Sequence, residues 1–90
     1  MPELQGKVLY IKVGDDIGVV KILEDGTGDE ETCIIWAYLG SDPKPPTYKR
    51  TIQNMQISLL TEALVNGLSV IIDWDANTGL PRNIKLLAAP

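Results

Sequence analysis

Residues 51–67 (TIQNMQISLLTEALVNG) constrain the fold more than any other stretch, because they alone carry a helical period and have three strand-like runs before them and two after. Apolar residues recur at Ile52, Met55, Leu59, Leu60, Ala63 and Leu64, the spacing that draws one stripe along a helix. Gln53, Asn54, Ser58, Thr61 and Glu62 fall on the opposite side. Thr51 is placed to offer its hydroxyl to the first-turn amides, and Asn66-Gly67 to supply a left-handed stop, so a helix is predicted over about 51–66. Ile57 and Val65 lie off the stripe, which points to a second apolar contact: a wider core face or a neighbouring subunit.

The strand-like runs have a period of two. Residues 7–13 alternate Leu9, Ile11 and Val13 with Val8, Tyr10 and Lys12; residues 17–23 resume the pattern after Gly14-Asp15-Asp16, so the two read as a hairpin. Gly18 marks a bulge or sharp bend. Residues 24–31 (EDGTGDEE) form an acidic surface loop. A third strand over 32–39 has Cys33, Ile35, Ala37 and Leu39 on one face and Ile34, Trp36 and Tyr38 on the other, both apolar. Residues 40–49 (GSDPKPPTYK) hold three prolines, which exclude sheet and an early helix start. Beyond the helix, residues 68–74 place Leu68, Val70, Ile72 and Trp74 on one side; after the loop 75–79 (DANTG), residues 82–87 point Ile84 and Leu86 inward.

That order, β-β-β-α-β-β in one domain over residues 1–90, is the order of the OB-fold, a five-stranded Greek-key barrel, and predicts a mainly β, α+β chain. An SH3-like barrel, a half-open roll or another α+β arrangement accommodates the same elements. The run G-K-V-x-Y-I-x-V at 6–13, a cysteine opening the third strand, a proline-bearing loop, L-L-T-E-A-L at 59–64 and N-G-L-S-V-I at 66–71 together resemble small bacterial proteins built like the B subunits of AB5 toxins. Those are OB-fold subunits in pentameric rings with helices around the axis. The chain differs from the secreted toxin subunits in lacking a signal-like start and a cysteine pair, so the resemblance implies a ring-like homo-oligomer and not a toxin.

Composition narrows the function. Hydrophobic residues make up 44% of only 90 residues, more than a core of this size can take in, so part of them is expected at a subunit interface. A net charge of −4 disfavours a phosphate backbone as partner, although Lys44, Lys49, Arg50, Arg82 and Lys85 could form a local basic patch. The lone Cys33 cannot make an internal disulfide, no stretch has the length of a membrane span, and a cytoplasmic location is expected.

Histidine is absent, which removes the commonest general base and a common metal ligand. Cys33 has no flanking base. Residues 73–79 begin like a calcium loop, but the glycine comes one residue late and Ile84 stands where the bidentate acid belongs. Asp29, Glu30 and Glu31 read as a solvated run, and Asp73 and Glu62 have no spacing that marks a carboxylate pair. No enzyme, cofactor or metal is expected. What remains is binding: a homo-oligomer with interface residues Ile34, Tyr38, Ile57, Val65 and Ile71, or a monomeric module with Trp36, Tyr48 and Trp74 as a stacking platform for a saccharide or small ligand. The acidic balance favours a neutral saccharide or a protein over nucleic acid.

Overall fold

The computed structural model describes residues 3–38, 43 and 45–88. Its elements are β1 (Glu3–Val13), β2 (Ile17–Glu24), β3 (Glu30–Ala37), α1 (Thr47–Asn66), β4 (Ser69–Trp74) and β5 (Pro81–Leu86), the predicted order. All five strands form one antiparallel sheet in the order β3-β2-β1-β4-β5. The chain is therefore mainly β with one helix. Among the described residues the sheet does not close: β3 and β5 come into contact, but no hydrogen-bond ladder joins these two edges. Leu39 at the end of the predicted third strand, residues 40–42 and Lys44 of the connector, and Ala89 and Pro90 of the tail lie outside the described residues.

β1 begins four residues earlier than the alternation at 7–13 predicts, because Leu4, Gly6 and Val8 already alternate inward against the polar Glu3, Gln5 and Lys7. Its first half pairs with β4 and its second half with β2; Gly6 faces Val70 on one side and Glu24 on the other. At this crossing the strands press together. A Cβ on Gly6 would fall on the backbone carbonyl of Leu23 and 2.7 Å from Cγ2 of Ile22.

Three register shifts interrupt the ladders; one lies at the end of the β4–β5 pairing, between Asp73 and Trp74, and the other two break the period-two pattern. In β1 the register skips between Val8 and Tyr10, so Leu9 and Tyr10 are both exposed and inward pointing resumes at Ile11. In the β2–β3 ladder Gly18 faces Trp36 while Val19 faces Ile34, which leaves Ile35 as the extra residue. Ile35 and Trp36 are consequently both buried, whereas strict alternation puts them on opposite faces. The irregularity predicted at Gly18 is present, and its cause is the neighbour: a Cβ there would lie 2.8 Å from the Trp36 ring.

The helix starts four residues before the predicted Thr51. Pro46 occupies the N-cap (φ −66°, ψ 160°), where a missing N–H costs nothing, so the prolines admit the helix at Thr47 instead of delaying it. Thr51 does not cap; its hydroxyl donates to the Thr47 carbonyl one turn back, at 3.1 Å. The predicted stop holds: Gly67 is left-handed (φ 66°), and its N–H donates to the Ala63 carbonyl. Leu60 and Ala63 from α1 complete a core of Leu4, Val8, Val20, Ile22, Val70 and Ile72, with Ile35 and Trp36 at one end.

Steric crowding makes the two strand glycines unequal. Gly18→Ala meets a side chain that can shift and is expected to lower unfolding free energy by about 1–3 kcal/mol, while Gly6→Ala meets backbone and is expected to cost more. Urea unfolding of both variants checks this; parental stability in Gly6→Ala would contradict the doubly paired β1.

Candidate functional site

α1 is rolled differently from its sequence pattern. The inward face is centred on Gln53, Leu60 and Ala63, with Ile57 packed against the core beside them. Gln53, expected on the polar side, is only 8% exposed. Tyr38 is the cause: the Gln53 Nε2 donates to its hydroxyl at 2.6 Å, and the Arg50 guanidinium lies over its ring, 5.7 Å from the centroid. The predicted core stripe is thereby split. Leu60 and Ala63 go in, while Ile52 (50% exposed) and Met55 (66% exposed) go out, with Leu59 half-buried below them.

The outward residues form a continuous band. Tyr48, Ile52, Met55 and Leu59 follow one another at helical spacings of four, three and four residues, and Ile84 of β5 extends the band across a groove of about 300 Å3.

A second concavity, about 280 Å3, opens between the first half of α1, the middle of β3 and the β4–β5 loop. Lys49, Gln53, Gln56, Asp75, Thr78 and Arg82 line it, over a floor that includes Ile35 and Leu80. Its loop wall is fixed by its own bonds: Asp75 Oδ1 accepts from the Asn77 amide at 2.8 Å, and the Gly79 N–H donates to the Asp75 carbonyl at 2.7 Å. Gln53 borders this cleft, and its Oε1 is buried without a hydrogen-bond partner, as are Trp36 Nε1 and Asp73 Oδ1.

A third, of about 270 Å3, lies where β3 and β5 fail to pair, and is lined by Leu4, Cys33, Ile34, Ile72, Trp74 and Pro81. Burial pushes the Cys33 thiol up from its ordinary range, and the Glu31 carboxylate adds to the shift.

The aromatic platform expected from the sequence is not assembled. Trp36 is 3% exposed and belongs to the core, because Gly18 leaves room for its ring. The exposed Tyr48 borders the cleft beside α1 and the half-buried Trp74 the cavity beside Cys33, so the two serve different hollows. The five candidate interface residues are likewise dispersed. Tyr38 and Ile57 are half-buried and packed against the core; Ile71 is half-buried in β4, paired with Gln5 and Lys85; Ile34 and Val65 are exposed. The basic residues do not form one patch: Lys49 and Arg82 share the cleft, Arg50 covers Tyr38, and Lys85 alternates to the sheet face away from Ile84 and Leu86. Lys44 lies outside the described residues. Of the acidic loop, Glu30 is paired with Lys21 at 3.2 Å, and Asp25 accepts from Ser69 and Gln5, tying the loop to β4 and β1. Among the described residues no three His, Cys, Asp or Glu side chains gather as a metal site, and no helix is long and apolar enough to cross a membrane.

Gln53 was the residue that sequence pattern could not select, since an amide on a helix is ordinarily solvent-facing. Its only signal was the outlying Ile57, one turn on, which pointed to a second apolar contact, either a wider core face or a neighbouring subunit, without selecting Gln53. Compared with protein-family models, curated proteins and solved structures, the chain matches none of them.

Cys33 provides a pH test of this geometry. Its iodoacetamide reaction should rise at higher pH than that of the urea-unfolded chain, since burial and Glu31 both disfavour thiolate, and Glu31→Gln should return part of the displacement. Coincident folded and unfolded profiles would contradict the half-buried thiol.

Proposed function

We propose that this chain is a non-catalytic OB-like module that assembles with copies of itself into a homo-oligomeric ring and presents binding surfaces on that ring. The helix between β3 and β4, and the sheet order β3-β2-β1-β4-β5, support the OB-like assignment. Two antiparallel steps separate β1 from each edge, so β3 and β5 run parallel to one another across the unpaired seam, as in a partly open barrel.

The observation that carries self-assembly is the outward apolar band of Ile52, Met55 and Leu59, for which a second copy is the occupant we infer. Ile52 is 50% and Met55 66% exposed, and they adjoin one another on the outer face of α1, an apolar patch of the kind that marks a contact surface. Two unpaired edges, β3 and β5, offer ladder groups that a neighbour's strand would satisfy. Closed symmetry is the usual outcome for such a self-complementary surface, and the likeness to AB5 B-subunit rings implies the pentamer as the ring to look for.

Light scattering coupled to size exclusion should give a multiple of the 9.9 kDa chain mass at micromolar concentration. Met55→Glu, at a position already exposed, should keep the circular dichroism of the fold and weaken association roughly 10- to 100-fold, the loss expected for one large apolar contact. A single-chain mass for the unsubstituted protein would overturn the proposal.

A further inference from the structure

The outer face of the sheet, turned away from the core, carries a charge pattern that the fold itself does not require. Strict alternation along β1 would put Lys7 and Lys12 on opposite faces, because they are five positions apart. The extra residue Leu9 cancels that phase: Lys7, Tyr10 and Lys12 all point outward, while Val8 and Ile11 pack on the core. The bulge thus gathers two cations and an aromatic ring on one surface.

The register with β2 completes the pattern. Lys7 lies opposite Leu23, Tyr10 opposite Lys21 and Lys12 opposite Val19, and residues opposite one another in a ladder share a face. Lysine and apolar side chain therefore alternate both along each strand and across the pair, like the squares of a chequered board. Tyr10 is 45% and Leu23 36% exposed. Glu30 of β3 answers Lys21 at 3.2 Å, but neither Lys7 nor Lys12 has a salt-bridge partner among the described residues. Three lysines stand together on one face of a chain whose net charge is −4.

Charge complementarity calls for an acidic occupant, and the apolar squares narrow its class. A phosphate backbone would satisfy the lysines but leave Val19 and Leu23 uncovered, and of the six side chains only Tyr10 offers a ring on which a base could stack. The acidic residues 24–31 also begin at the edge of this face, where Glu30 pairs with Leu23, and would repel a longer polyanion. A polypeptide with acidic and apolar side chains in alternation supplies both halves. In an extended chain the side chains of one face recur every second residue, the spacing at which lysine and apolar positions alternate along β2.

We propose that the outer face of β1 and β2 docks an extended acidic segment of a partner protein, with its carboxylates on Lys7, Lys12 and Lys21 and its apolar side chains on Tyr10, Val19 and Leu23. The face shares no residue with the outward band of α1, so the proposal does not depend on self-assembly, and its test reads peptide binding and not mass.

The experiment titrates the full chain, at low ionic strength, into a fluorescein-labelled peptide of Glu-Thr-Val-Thr repeats, which presents glutamate and valine in alternation on one side when extended. Anisotropy should report binding that weakens as salt is added, and 1H–15N spectra should show shifts at the backbone amides of Tyr10, Lys12 and Lys21. A peptide of the same composition with its glutamates in one block should bind more weakly. Lys7→Glu combined with Lys12→Glu, both at exposed positions, should keep the circular dichroism of the fold and weaken binding about tenfold or more. Tyr10→Ser should weaken binding without changing its dependence on salt, since it removes an apolar contact and no charge. No binding of the alternating peptide, equal binding of the blocked one, shifts confined to α1, or substitutions without effect would each overturn the proposal. Tighter binding of an oligothymidine of equal length would overturn it in favour of a nucleic acid.

Discussion

The fold rests on one strand serving two neighbours. β1 hands over from β4 to β2 at Gly6, whose missing side chain lets the Leu23 carbonyl and Ile22 come within a distance that no Cβ would allow. Because the two ladders meet there, the inward residues of both halves, Leu4 and Val8 with Val20, Ile22, Val70 and Ile72, converge on one small core. Leu60 and Ala63 cover it, and α1 packs more extensively on β1 than on any other strand. The bulges at Leu9 and Ile35 are the means by which so short a sheet bends around that core.

The roll of the helix links fold to function. Once Tyr38 holds Gln53 inward, the apolar band one step around α1 must face outward, since a single helix cannot bury both arcs against a sheet this narrow. Ile52, Met55 and Leu59 are already partly buried, so removing the rest of each from water would contribute about half of the roughly 1.5–3 kcal/mol of a full burial, which in sum is still substantial against the whole stability of a domain this size. The same roll places Gln53 with Lys49 and Asp75 among the residues that line the cleft. One side-chain pair, Gln53 with Tyr38, thus sets both the apolar surface and the polar cleft.

Much of the architecture was legible in the sequence, for identifiable reasons. Alternation in residues 68–74 and 82–87 matched the burial of Val70 and Ile72 and the packing of Ile84 and Leu86, because the register shift of that ladder comes only at its end, between Asp73 and Trp74. It failed across Val8–Tyr10 and Ile34–Trp36, where one inserted residue shifts the phase, and period alone cannot reveal an insertion. The helix start was displaced because prolines were read as barriers when Pro46 serves at the cap. Trp36 as a ligand platform failed for a tertiary cause: the space over Gly18 depends on pairing between β2 and β3. The cleft was illegible for the same kind of reason, since Gln53, Asp75 and Arg82 meet only after the sheet has curled.

The central claim is that another copy of the chain covers the outward band of α1. Its most direct test is an isotope-filtered Overhauser experiment on a mixture of labelled and unlabelled chains, observing the methyl group of Met55. Cross-peaks from that methyl to protons of the unlabelled chain are predicted, with the strongest to apolar side chains. A Met55 methyl that contacts only its own chain and water, at concentrations well above micromolar, would contradict the account.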